Sequence, residues 1–105
     1  PDRIVDSDHV VVIVAVAHNH PFRRAFSNED LSDIAIRHYN VRIDHAYRHF
    51  WLLVITDRGF VYGYDVVTQE IFRWEPSKKS WHHIANVTNQ RTGDYTMLDG
   101  EGWEP

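Results

Sequence analysis

Residues 10–17 (VVVIVAVA) are apolar at every position and bounded by polar residues. A strand with one wet face alternates, so an unbroken valine-rich run of this length predicts a strand covered on both faces. His18-Asn19-His20-Pro21 ends it, because proline has no N–H to give to a sheet ladder. Ser27-Asn28-Glu29-Asp30 then supplies helix-capping side chains, with carboxylates where the helix dipole is positive. Leu31, Ile34, Ala35 and His38 follow at i, i+3, i+4, i+7, which is one helical face. The spacing predicts a helix over about 28–39, stopped near Asn40.

Residues 41–48 (VRIDHAYR) carry two periods at once. With period two, Val41, Ile43, His45, Tyr47, His49 and Trp51 share a face opposite Arg42, Asp44 and Arg48. With period 3.6, Ile43, Ala46, Tyr47, Phe50 and Val54 make a helical stripe. The β-branched and aromatic run over 50–56 favours extended structure, and a second helix is the alternative. Beyond it the punctuation is clearer. Asp57-Arg58-Gly59 is turn chemistry, 60–65 (FVYGYD) is a strand, and 66–69 turns it. Residues 70–74 (EIFRW) pair back, 76–79 (PSKK) turn again, and 80–85 close a meander. The expected fold is α+β: an N-terminal buried strand, one helix, then an antiparallel meander of four strands over about 49–85, with the helix on one sheet face. Residues 1–91 form the globular domain, and 92–105 are expected as an acidic, flexible tail.

Charge is unevenly placed. Residues 92–105 hold Asp94, Asp99, Glu101 and Glu104 with no cation, whereas 37–91 hold eight Lys/Arg against five Asp/Glu. An acidic end beside a mildly basic body can fold back on that body or reach a basic partner. Absence of cysteine removes disulfides, thiol catalysis and thiolate metal sites. No stretch approaches the roughly 20 apolar residues of a membrane span. Asp2, Asp6 and Asp8 precede the apolar run where a signal peptide carries positive charge, so the chain is placed in the cytoplasm, away from membranes.

Val61-Tyr62-Gly63-Tyr64-Asp65, Thr68, Trp74 and Trp81 together resemble one kelch or tectonin propeller blade. The glycine pair that marks kelch repeats is missing and there is no second copy, whereas a propeller needs about four blades or more. No family is assigned from it.

Eight histidines invite a metal reading. His18 and His20 point the same way in a strand, roughly 6–7 Å apart. His45 and His49 suit one ion only on a helix, and a zinc site needs a third or fourth ligand, from Asp44, His82 or His83. No recognised motif such as HExxH is present, so no cofactor is assigned, zinc being the one to test. His38, His45 or His49 beside Asp33 or Asp44 are adequate for acid–base chemistry. The serines occupy no nucleophile elbow, and the glycines make no phosphate loop.

Three functional classes remain. The leading one is a small non-enzymatic protein that binds another protein, in an accessory, inhibitor or immunity-type role. Trp, Tyr and Arg are the side chains enriched at interface hot spots. The chosen residues are Arg58, Tyr62, Tyr64, Arg73 and Trp81 on the meander, with Asp99, Glu101 and Trp103 from the tail; Trp51 and Trp74 are assigned to the core. The second class is a histidine-based metal protein, hydrolytic in one form, using His18 and His20 with His45 or His49. The third binds single-stranded nucleic acid on interleaved aromatic and cationic side chains, against an acidic overall charge and without an RNP-type signature.

Overall fold

The computed structural model describes residues 25–32, 51–56 and 58–105 in full, and the backbone of residues 3–5, 9–17 and 49–50. Its elements are β1 (Arg3–Val5), β2 (His9–Ala17), α1 (Asn28–Leu31), β3 (His49–Thr56), β4 (Val61–Asp65), β5 (Glu70–Glu75), β6 (Ser80–Asn89) and β7 (Asp94–Met97). The strands lie side by side in one sheet in the order of the chain. Neighbours are antiparallel except β2 and β3, which run parallel. A parallel pair needs a crossover, and α1 lies in the connection that makes it. The described residues are therefore mainly β with one small helix, a β-heavy form of the expected α+β class.

The turns follow from their side chains. Asp65 Oδ1 accepts from the Val67 and Thr68 amides, and Gln69 N donates to Asp65 O at 2.8 Å, which closes the β4–β5 connection. The β5–β6 turn is closed by Lys79 N donating to Pro76 O. Gly93 turns β6 into β7 with φ +76°; a Cβ there would collide with the Asn28 backbone carbonyl, so only glycine lets the hairpin meet α1. Asn28 Nδ2 reaches across to Gly93 O at 3.1 Å.

Two expectations change. The helix expected over 28–39 ends at Leu31, with Ser32 already extended (ψ 167°); residues 33–39, like the ambiguous 41–48, lie outside the described residues. Its start is as read: Ser27 Oγ accepts from Asp30 N while Asp30 Oδ2 accepts from Ser27 N, a reciprocal capping box. The second change is at the other end. The fourth meander strand runs on to Asn89, and a fifth, β7, pairs with it inside the stretch read as a loose tail.

The core lies on one side of the sheet. Leu52 and Val54 of β3, Tyr62 and Tyr64 of β4, Ile71 of β5, and Ile84, Ala85 and Val87 of β6 are buried with Ala25, Phe26 and Leu31 from around α1. Register explains the selection: Leu52 opposes Tyr64, Val54 opposes Tyr62, and Tyr64 opposes Ile71, so one parity of each strand faces inward. Opposite Ile71 and Phe72, β6 carries Ile84 as an extra residue, a bulge that lets Ile84 and Ala85 both be buried.

Candidate functional site

The residues singled out in the sequence divide between the two faces of the sheet. Tyr62, Tyr64 and Arg73, chosen as surface contacts, are on the core side and nearly inaccessible, Tyr62 and Tyr64 at 1% exposure and Arg73 at 5%. Trp51 and Trp74, assigned to the core, lie on the opposite face and are half-buried. Trp81 shares that opposite face and is 37% exposed.

The core-side group forms a strap site for the chain end. Residues 98–105 cross the rim of the core, starting with Leu98 N donating to Ile84 O at 2.9 Å. The Trp103 ring packs against Phe26, Tyr62 and Tyr95, and its Nε1 donates to Tyr95 Oη at 3.2 Å. The Trp103 carbonyl accepts from Tyr62 Oη at 2.6 Å and from Arg73 Nη1 at 3.1 Å, while Arg73 Nη1 also donates to Gly102 O and Nη2 to Glu75 Oε1. Arg58 Nη1 donates to both Glu104 oxygens at 3.0 and 3.1 Å, and His82 Nε2 meets Glu101 Oε1 at 2.7 Å. Glu101 and Glu104 are thus turned back onto the domain, and only Asp99 of the chosen tail carboxylates is exposed with no such partner described.

Burial sets the protonation of this group. Removal from water pushes the Tyr62 phenol up to about 12, against the opposing pull of the Arg73 guanidinium, so it stays a donor to Trp103. The hydrogen bond from Arg73 holds the Glu75 carboxyl below its ordinary value. A shallow cleft of about 210 Å³ opens where Arg58, Phe60, Val61, Arg73, Trp74 and Pro105 meet. Both of its arginines are engaged by carboxylates, so it offers an anion no free guanidinium.

The outer face is a ladder of rings. Trp51 lies flat on Gly63, where any Cβ would strike its six-membered ring, and stacks on Phe72 with centroids 4.9 Å apart and planes 15° from parallel. Trp81 packs against Trp51 at 5.1 Å and Trp74 at 5.2 Å, and Phe72 against His83 at 5.2 Å. Leu53, Ile55 and Val61 share this parity through the pairs Leu53–Gly63 and Ile55–Val61, and Ile55 is 42% exposed. The indole N–H of Trp51 is buried with no partner among the described residues. Register sets Val11 beside Trp51 and Ile13 beside Leu53, which carries apolar positions on into β2.

Charge on this face is sparse. Glu70 sits at one end, 3.7 Å from His83 Nδ1, and Lys78 and Lys79 are exposed in the β5–β6 turn at the other. No Lys or Arg stands between them at the outward positions of the fully described strands.

Of the histidines proposed as ligands, His18, His20 and His45 lie outside the described residues, and His49 opens β3. Its register neighbour is His9, a pairing the sequence spacing did not disclose. Among the described residues no three His, Asp or Glu side chains gather as a metal centre needs, and no helix is long and apolar enough to cross a membrane.

No family model matches this chain, and neither the curated proteins nor the solved structures contain a match to it.

Proposed function

We propose that the protein acts non-enzymatically by binding another protein through the outer face of its sheet. One observation carries the reading. The sheet is apolar on both sides, yet α1 and the strap pack on the core side only, and no described element covers Trp51, Leu53, Ile55, Phe72, Trp74 and Trp81. An apolar sheet face is stable when a second layer lies on it, and contiguous exposed apolar surface marks interaction sites in soluble domains. Trp81 is the natural anchor: large, rigid, and braced by Trp51 and Trp74, as hot-spot residues are. Arg58, Tyr62, Tyr64, Arg73, Glu101 and Trp103 support the scaffold in this reading, and binding falls to the face that Trp81 belongs to. An accessory, inhibitor or immunity-type role in the cytoplasm fits a domain of this kind.

The nucleic-acid reading loses support on the same geometry. A single strand needs cations along its phosphates as well as rings for its bases, and among the described residues the ring ladder has lysines at one tip only. The test is capture of a partner from host extract on the immobilised chain. Trp81→Ala is expected to weaken recovery at least about 30-fold, the scale of a 2 kcal/mol hot spot. Equal recovery by wild type and variant refutes the reading. Loss on nuclease treatment, with steep weakening by salt, returns the nucleic-acid class.

A further inference from the structure

We infer that the layer seated on the outer face is a second copy of this chain, packed sheet to sheet about a two-fold axis. The inference rests on the reading of that face as a binding surface and names its occupant.

Shape is the first argument. Because Gly63 has no side chain, Trp51 lies down on β4 and stacks on Phe72 at 15°, a flat patch in the middle of the face against which Trp81 is tilted by 58°. Flat, twisted faces of one parity are what two sheets present to each other in a sandwich, with backbones about 10 Å apart. The cleft beside Trp74 opens at the strand ends.

Charge is the second argument, and it selects a copy over an unrelated sheet. An isologous two-fold interface must be complementary to itself. Here the strands β5 and β6 run from Glu70 at one end to Lys78 and Lys79 at the other. A two-fold axis in the plane of the face and perpendicular to the strands sets each lysine tip over the Glu70 end of its mate. The same operation lays Trp81 across the ring ladder of the other copy. The rim charges then fix the direction of packing while the rings supply the buried area, which is the usual division of labour at interfaces.

The test is sedimentation equilibrium of the full chain at about 1–100 µM, a range that brackets micromolar dissociation constants. Twice the chain mass is expected for wild type. Trp81→Glu is expected to shift the protein to monomer; should that variant fail to fold by circular dichroism, Ile55→Glu on the same face serves instead. Reversing the lysines (Lys78→Glu with Lys79→Glu) or reversing Glu70→Lys alone is expected to weaken the dimer about tenfold, and the three changes together to restore it. A wild type that is monomeric throughout overturns the inference, as does a dimer indifferent to Trp81→Glu and Ile55→Glu, or charge reversals whose combination restores nothing. A monomer that still captures a different protein through Trp81 sinks the dimer and leaves the binding face standing. A monomer with no Trp81-dependent partner sinks both.

Discussion

At the scale of single residues, what decides a side chain's role here is its parity in the strand. Tyr62 and Tyr64 are chosen in the sequence as surface contacts because tyrosine is enriched at interface hot spots. They are core residues, and Gly63 between them is the floor on which Trp51 rests. Tyr62 shows the consequence in its chemistry. Its phenol is buried, donates to Trp103 O, and is pushed up to about 12. The neutral form is the one the folded state prefers, so this group's contribution is whole below pH 10 and is lost as pH rises towards 12. Absorbance titration of the phenolate is expected to show one tyrosine ionising late, with loss of structure in the same window. Tyr62→Phe should abolish that late phase. A late phase that persists in the variant would assign it elsewhere.

Elements explain why the chain end is part of the domain. Gly93 and Gly100 with the carboxylates between them look like a solvated tail, and the pairing of β7 with β6 is not visible in so short and polar a strand. What holds 98–105 in place is one aromatic plug and a few carbonyls facing Tyr62 and Arg73. Most of the strap's stabilisation therefore lies in Trp103. Trp103→Ala is expected to cost about 3–5 kcal/mol in denaturant unfolding, as other large aromatic truncations do. Arg58→Ala, which removes an exposed pair with Glu104, is expected to cost less than about 1 kcal/mol. Similar costs for the two would mean that charge, not packing, fastens the strap. The four meander strands and the helix start were legible in the sequence because their turns and caps are local chemistry: Asp65, Gly59, Ser27 and Asp30 act within three or four residues of their own positions. The helix stop at Ser32 was not, since Leu31, Ile34, Ala35 and His38 keep helical spacing beyond it.

For the whole molecule, strand order predicts where stability is concentrated. β4 lies between β3 and β5 with four of its five residues buried, whereas β7 and β1 are the sheet's edges. Amide exchange is expected to be slowest in β3–β5 and fastest in β1 and β7, with the Tyr62 and Tyr64 amides opening only in global unfolding. Fast exchange in β4 would contradict a single cooperative sheet. The outer face adds a condition to this: among the described residues, α1 and the strap pack on one side of the sheet only, and the proposed partner would complete the other.

The sequence by itself determined the strands of the meander, the turns between them, the capping box and the alternation that sorts Trp51, Leu53 and Ile55 from Leu52 and Val54. Alternation separates two faces but does not say which is inside, because here both are aromatic and apolar. Tertiary structure alone decided that. The crossover brings Phe26 and Leu31, and the chain end brings Trp103, onto the Tyr62–Tyr64 side. These contacts join residues some forty positions apart, where no local period reaches. Once they form, the other parity carries the ring ladder, with Trp81 and Ile55 exposed on it.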